Sequence, residues 1–215
     1  MICAMANRGT YGWLPTSGAL LSRLMALLLI FVATIPAVAE AGFSTVVIDA
    51  GHGGRDNGAS WYGVHEKTIA LDVAKRVEKI LRSKGVPTAM TRRDDTYVAL
   101  DDRAAIANRY ANSIFVSIHF NAHPNRTIHG IETFYVSPAG KTLANGIQTS
   151  IMKKIEGRDR GIKKSSYAVL TRTKAPAVLV ECGFISNRTE CRKCQTTWYR
   201  QTVAEAIAKA ILAAR

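Results

Sequence analysis

The sequence has few acidic residues relative to basic ones, and this shortage sets its overall charge. Its 215 residues include 16 Asp and Glu against 29 Lys and Arg, so the formal net charge at pH 7 is +13. A charge of this size indicates an anionic polymer or surface as a partner. The GxxxxGK[ST] and GxGxxG patterns are also missing, which argues against the common nucleotide-binding loops.

Cysteine is scarce as well. Three cysteines lie beyond residue 39: Cys182, Cys191 and Cys194. A small secreted scaffold held together by disulfides would need more cysteines, and an even number of them. Cys191 and Cys194 could form a local disulfide in an oxidising compartment or remain free thiols. They could also be half of a zinc knuckle, although no second pair is present to complete four ligands.

No apolar run at the N-terminus is long enough for a comfortable membrane span, which needs roughly 20 residues. The apolar run at 24–35 is shorter, it is preceded only by the charges of Arg8 and Arg23, and the small-x-small sequence AVA follows at 37–39. This order predicts a secretory signal peptide over 1–39, cleaved after its last alanine, with an uncleaved anchor as the alternative. We therefore expect export to the periplasm, the cell envelope or the medium, without stable membrane insertion after cleavage.

Residues 40–215 contain neither a Pro/Gly/Ser-rich linker nor an internal repeat, so we expect one domain. Two of the positive charges belong to the predicted signal peptide, which leaves +11 on this domain. Nucleic acid is the usual partner of a basic protein, but export argues against it, and the bacterial cell wall fits better. We expect the exported protein to be a monomer.

Strand and helix patterns alternate along this domain. Strands are predicted at 45–49, 87–91, 114–118, 131–136, 169–171 and 177–181, and helices at 68–84, 100–111, 141–155 and 203–214. Such alternation predicts an α/β fold with a mostly parallel or mixed sheet that is covered by helices on both faces.

Four residues stand at strand ends or just past them: His52, Glu66, His119 and Glu181. In open α/β sheets the ligand crevice lies at the carboxyl ends of the strands. Catalytic zinc takes three His and Glu ligands and keeps one position for water, so His52, Glu66 and His119 would supply a suitable set. Glu181 ends a buried strand, where desolvation raises the pKa of a carboxyl group and suits it to act as a general base.

Each of these residues also has a purely structural explanation. A histidine in a Gly-rich turn is usually a hydrogen-bonded turn residue. Glu66 could simply favour the N-terminus of the following helix through the helix dipole. Glu181 could be a buried carboxylate that backbone amides satisfy.

Other polar residues compete for the same roles. His65 could replace its neighbour as a ligand, whereas His123 and His129 are expected to be solvated loop residues, because a proline follows His123 and prevents a zinc-binding helix there. Ser117 and Ser186 have no convincing His and Asp companions for nucleophilic catalysis.

Eight motifs occur in a fixed order: VVIDAGHGG, GVHEKTIALDVAKRV, GVPTAMTRRDD, LDDRAAIAN, FVSIHFNAH, HGIETFYVSP, RGIKKSSYAVL and APAVLVECGFISN. Together they resemble the zinc-dependent N-acetylmuramoyl-L-alanine amidases of the bacterial cell wall, specifically the family 3 catalytic domain. The resemblance implies that His52, Glu66 and His119 bind one zinc ion and that Glu181 is the catalytic glutamate.

The resemblance also implies a mixed six-stranded sheet, a catalytic domain over residues 40–215, and hydrolysis of peptidoglycan between the lactyl group of N-acetylmuramic acid and the L-alanine of the stem peptide. Regulated family members carry a long helical insert that blocks the zinc. It lies between the SIH motif, which contains His119 here, and the VE-x-GF motif, which contains Glu181 here. Only about sixty residues separate His119 from Glu181 here, so we expect that helix to be absent or minimal. A zinc peptidase acting within the stem peptide and a non-catalytic wall-binding module stay open as alternatives.

Overall fold

The computed structural model describes Gly12 and residues 42–215. The predicted signal peptide therefore lies outside the described residues, apart from Gly12. The strands of the described chain are β1 (Thr45–Ala50), β2 (Ser60–Trp61), β3 (Val64–His65), β4 (Thr88–Met90), β5 (Ser113–Asn121), β6 (Ile131–Tyr135), β7 (Asp159–Lys164) and β8 (Ala177–Phe184). Its helices are α1 (Glu66–Ser83), α2 (Leu100–Asn108), α3 (Pro138–Met152), α4 (Ala168–Thr171), α5 (Arg188–Gln195) and α6 (Thr197–Ala213).

Six of the strands form one mixed sheet in the order β4-β1-β5-β8-β6-β7. β4, β1, β5 and β8 run parallel to one another, whereas β6 pairs antiparallel with β8 and β7 pairs parallel with β6. The remaining strands, β2 and β3, form a separate two-stranded hairpin. The predicted α/β fold with a mixed six-stranded sheet is confirmed.

Helices cover both faces of the sheet because successive strand residues point to opposite sides. On β1, Val46 and Ile48 face a cluster that includes buried residues of α1, α3, α5 and α6. Val47, between them, belongs to a second cluster on the other face with residues of α2 and α4. Strands that are buried on both faces read as continuous apolar runs, which is why they could be predicted from the sequence.

The strand directions bring several polar side chains to one edge of the sheet. β1, β5 and β8 are parallel, so their carboxyl ends meet there, and the antiparallel β6 begins at the same edge. In the resulting register, His119 on β5 lies opposite Glu181 on β8, which lies opposite Glu132 on β6. This edge is where a ligand crevice is expected.

The structure corrects one element and adds others. The predicted strand at 169–171 is wrong: these residues belong to helix α4, and the buried side chains of Val169 and Leu170 pack on the second face of the sheet. A short apolar run does not distinguish a strand from one helical turn. Strand β7, helix α5 and the β2–β3 hairpin were not predicted, and helix α6 begins six residues earlier than expected.

All three cysteines of the described chain are free and buried. Cys191 and Cys194 lie on α5 and face the core, so the free-thiol alternative describes this structure and the local disulfide does not form in it. Among the described residues, no helix combines the length and the apolar character that a membrane span requires.

Candidate metal centre

His52 lies in the Gly-rich turn that follows β1, and the local backbone is strained to place it there. It has a φ of 61°, which is uncommon for a residue other than glycine. Its Nδ1 lies 2.9 Å from Asp56 Oδ2, and Asp56 Oδ1 accepts a hydrogen bond from the backbone N–H of Gly58. Asp56 therefore fixes the imidazole through one nitrogen and leaves Nε2 to face the site, as outer carboxylates do for metal-bound histidines.

Glu66 is the first residue of α1, directly after the β2–β3 hairpin, and it is buried. Its Oε1 accepts a hydrogen bond from the backbone N–H of Phe120, and its Oε2 accepts one from the backbone N–H of Ala59. Burial alone would raise its pKa, but hydrogen bonds and charge from His119 and His52 outweigh burial and hold the pKa well below the ordinary value. Glu66 is therefore an ionised carboxylate between two imidazoles.

His119 completes the cluster from the end of β5. His52 Nε2 and His119 Nδ1 lie 3.1 and 2.9 Å from Glu66 Oε1. One donor atom from each of the three residues falls within 4.8 Å of the others, a grouping that could hold a metal ion. The donor set of two imidazoles and one carboxylate is one that catalytic zinc uses, so the residues present fit this metal.

Close backbone approach makes this convergence possible. A Cβ atom added to Gly51 would lie 2.4 Å from Cε1 of His119. A Cβ atom added to Gly58, whose φ is +62°, would lie 2.6 Å from both Glu66 Oε2 and His52 Cδ2. The two glycines therefore leave room for all three donor side chains.

Glu181 lies beside the cluster at the end of β8. It is buried, and its Oε2 is the one buried side-chain N or O atom in the described residues that has no hydrogen-bond partner. Burial, followed by the negative charges of Glu66 and Glu132, raises the pKa of Glu181 well above its ordinary value. The structural alternative, in which backbone amides satisfy this carboxylate, is not seen at Oε2. An unsatisfied buried oxygen is unusual in a folded protein and requires an explanation.

Two buried arginines, which sequence reasoning did not single out, hold the turn that carries His52. Arg103 on α2 forms an ion pair of 2.7 Å with the buried Asp49 and donates to the carbonyl oxygens of Ala50 and His52. Arg92 donates to the carbonyl oxygens of Ala50 and Gly51. Arg92 lies in the TRRDD motif and Arg103 in the LDDR motif. Nothing in the spacing of these motifs indicated that the two arginines would contact the turn after β1.

Asp49 is the anionic partner in this arrangement. Burial would raise its pKa, but Arg103 and hydrogen bonds from Ser117 and Thr91 overcome that effect and lower the pKa below its ordinary value. Ser117, for which the sequence suggested no Asp companion, thus donates a hydrogen bond of 2.6 Å to Asp49.

The donor cluster opens into a cavity of about 440 Å³. Glu181 lines it together with His52, Glu66 and His119, and Tyr97, Leu100 and Tyr167 form exposed apolar parts of its wall. Between β5 and β8 the helices of the described chain are α3, which packs with α6, and the four-residue α4. No long helix from this segment covers the cavity, in line with the sequence.

The competing histidines lie elsewhere. His65 is exposed and its Nδ1 lies 2.9 Å from Ser60 Oγ, outside the donor cluster. His123 and His129 lie in the loop between β5 and β6, where their Nδ1 atoms contact backbone groups of Asn125 and Thr127. The structure therefore brings together the four residues singled out in the sequence and leaves the competitors apart.

Comparison with known proteins identifies the family of this chain. Residues 46–213 match the family Amidase_3, described as N-acetylmuramoyl-L-alanine amidase. The N-acetylmuramoyl-L-alanine amidase LytC of Bacillus subtilis strain 168 is 36% identical over 167 residues, which make up 76% of this chain and 34% of LytC. The chain thus spans about a third of that relative's length.

Two solved amidase structures are similar to this chain over nearly their whole length. The N-acetylmuramoyl-L-alanine amidase from Clostridium difficile 630 has 37% identity and a TM-score of 0.77, covering 80% of this chain and 97% of that one. The catalytic domain of CwlV, an N-acetylmuramoyl-L-alanine amidase from Bacillus (Paenibacillus) polymyxa var. colistinus, has 35% identity and a TM-score of 0.77, covering 80% and 99%. The family match covers most of the chain and the fold agrees with it, so this chain belongs to the Amidase_3 family of N-acetylmuramoyl-L-alanine amidases.

Proposed function

We propose that this protein is a zinc-dependent hydrolase of peptidoglycan that cleaves the amide between the lactyl group of N-acetylmuramic acid and the L-alanine of the stem peptide. The observation that carries the proposal is the convergence of His52, Glu66 and His119 beside the unpartnered carboxylate of Glu181. The family match and the similarity to amidase catalytic domains support the same reaction.

His52, Glu66 and His119 would hold one zinc ion in the wall of the cavity. A zinc ion bound by such a set makes a water more acidic and polarises a carbonyl oxygen. Asp56 fixes the orientation of His52, and the backbone N–H groups of Phe120 and Ala59 fix both oxygens of Glu66. The donors are therefore positioned in advance, which limits the reorganisation that the reaction requires.

Glu181 would act as the proton carrier. A carboxylate accepts the proton of the attacking water at Oε2 and then delivers it to the nitrogen of the leaving L-alanine, whose bond to the lactyl carbonyl carbon breaks. Burial raises the pKa of Glu181 above its ordinary value, and this is the direction of change that a carboxyl group needs to exchange protons near neutral pH.

The proposal also covers the location and the oligomeric state of the protein. We propose export directed by the signal peptide over 1–39, action on peptidoglycan outside the cytoplasm, and a monomeric enzyme over 40–215. Supporting observations are the cleavage pattern of the leader and the cell-wall amidases among the relatives, which include the probable cell wall amidase LytH of Staphylococcus aureus.

Product analysis tests the reaction. Purified sacculi are incubated with the protein, and the released fragments are identified by mass spectrometry with and without a chelator. We expect intact stem peptides with a new L-alanine amino terminus, loss of release with the chelator, and recovery when zinc is restored. Fragments cut within the stem peptide would indicate a zinc peptidase instead, and binding without release would indicate a wall-binding module.

A further inference from the structure

A cationic surface lies next to the metal cavity, on the side of the β2–β3 hairpin. The guanidinium carbon of Arg126 lies 4.9 Å from the ring centroid of Trp61, and that of Arg188 lies 5.5 Å from the ring centroid of Tyr62. We name these four residues the arginine platform. Its two rings are neighbours, with centroids 6.2 Å apart.

The two arginines are exposed and uncommitted. Neither Arg126 nor Arg188 forms an ion pair with any acidic residue among the described residues. Cations over aromatic faces are held by the ring quadrupole, and a guanidinium still presents its planar fork of N–H donors to a carboxylate. The platform therefore offers two oriented donor groups for an anionic ligand.

Hydrogen bonds from three chain segments fix the platform. Tyr62 Oη donates to the carbonyl oxygen of Ser186, and Asn187 Nδ2 donates to the carbonyl oxygen of Arg126. The segment after β8 thus joins the hairpin to the loop after β5. A fixed surface loses less conformational entropy on binding than a mobile one.

The hairpin turn indicates that the platform has a function. Tyr62 and Gly63 form the two-residue loop between β2 and β3, and both have positive φ, 52° and 79°. Such turns favour Asn-Gly, whereas a large side chain in the first position is strained. Tyr62 nevertheless stands there with 40% of its surface exposed, and an outlier of this kind points to a functional constraint.

The platform is continuous with the site of the proposed reaction. A second cavity of about 360 Å³ is lined by Trp61, Arg126, His123, Pro124 and Ala122, and Ala122 also lines the metal cavity. The hairpin that carries Trp61 leads directly into Glu66, a proposed zinc ligand. A polymer cleaved at the metal cavity would therefore extend over the platform.

We propose that the arginine platform binds the carboxylates of the peptidoglycan stem peptide and so selects acidic stem peptides over amidated ones. The inference rests on the proposed function. The N-acetylated sugars of the glycan carry no charge, whereas carboxylates along the stem peptide match two guanidinium groups. Bidentate pairing with arginine provides the recognition.

The test uses soluble muramyl peptides whose stem-peptide carboxylates are either free or converted to carboxamides. The test protein is the double variant Arg126→Gln/Arg188→Gln, which removes both guanidinium groups and keeps the two aromatic rings and the hairpin. We expect the KM of this double variant for the free-carboxylate substrate to rise by up to about 25-fold, because each exposed ion pair contributes at most about fivefold. We expect kcat to stay unchanged, and the KM for the carboxamide substrate to change less than about twofold.

The matched control is Arg109→Gln/Lys141→Gln, which removes two exposed charges. Arg109 lies shortly before β5 begins, and Lys141 follows Gly140, whose added Cβ would lie 2.8 Å from the carbonyl oxygen of Ala177 at the start of β8. Both charges are therefore near the amino ends of these strands, away from the metal cavity, and their removal should leave both KM values unchanged. Affinity of the same peptides for the zinc-loaded Glu181→Gln protein, measured by calorimetry with and without the platform substitutions, gives a readout independent of turnover. We expect the platform substitutions to weaken only the binding of the free-carboxylate peptide.

The outcomes separate the two proposals. Cleavage of both substrates with equal KM, unaltered in Arg126→Gln/Arg188→Gln, would overturn the platform while leaving the amidase activity in place. Cleavage of neither substrate by the unaltered protein would overturn the proposed function itself.

Discussion

At the scale of single residues, Glu181 is the group on which the proposed chemistry depends. We expect Glu181→Gln to lower kcat on peptidoglycan by about 10²- to 10⁴-fold, the usual contribution of a general acid–base group. Zinc content, measured by elemental mass spectrometry, should stay at that of the unaltered protein because the three proposed ligands are intact. His119→Ala, in contrast, should lose both zinc and activity. Near-normal turnover of Glu181→Gln would show that another group carries the proton.

Gly51 provides a second residue-scale prediction. A Cβ atom at this position would lie 2.4 Å from the ring of His119, so Gly51→Ala should displace the ring and abolish zinc binding. Gly146, within α3, has no heavy atom within 4 Å of its added Cβ, and Gly146→Ala should raise the free energy of unfolding by about 0.5–1 kcal/mol. Isothermal titration with zinc and urea unfolding measure the two effects. Tight zinc binding by Gly51→Ala would contradict the geometry of the cluster.

At the scale of elements, the buried strands and their polar ends could be predicted because their signals are local. Continuous apolar runs identify β1, β5 and β8, and strand ends locate His119 and Glu181 at the edge of the sheet. Strand β7 could not be predicted in this way because its sequence DRGIKK is mostly polar. It is the outermost strand of the sheet, where charged residues prevent pairing with another chain. The role of Arg103 was equally hidden, since its contact with Asp49 joins residues 54 positions apart.

The contact between α2 and the turn after β1 supports a prediction about stability. Arg103→Met leaves the buried Asp49 carboxylate without its cation, and the loss of one partner of a buried pair costs about 3–5 kcal/mol. The exposed Arg109, just after the same helix, serves as the control, and Arg109→Met should change the free energy of unfolding by less than about 0.5 kcal/mol. Urea unfolding at neutral pH measures both. Equal stability of the two variants would show that the ion pair contributes nothing.

The pH dependence of the same pair has a definite sign. The folded-state pKa of Asp49 lies below its ordinary value of 3.8, so the ionised carboxylate stabilises the fold above that value, and this stabilisation is lost as the pH falls through the lowered pKa. In Arg103→Met the stabilising charge is gone. We therefore expect the stability difference between the two proteins to be full at neutral pH and to shrink in acid.

At the scale of the whole molecule, the most direct property is the net charge. It can be counted from the sequence and does not depend on the fold. The net charge is +13, of which +11 belongs to residues 40–215. A field of this size concentrates the protein near anionic surfaces over distances set by ionic strength, about 10 Å at 0.1 M salt and about 3 Å at 1 M. The chemistry in the cavity acts at contact distance and is far less screened.

Salt should therefore separate attraction to the wall from hydrolysis. We expect the fraction of Glu181→Gln protein that sediments with sacculi to fall steeply between 0.05 and 1 M salt, because screening removes long-range attraction. The kcat of the unaltered protein on an uncharged muramyl peptide should change less than about twofold over the same range. Sacculi whose carboxylates have been amidated serve as the control and should retain little protein at any salt concentration. Retention that does not depend on salt would mean that shape and hydrogen bonding, rather than net charge, hold the protein on its polymer.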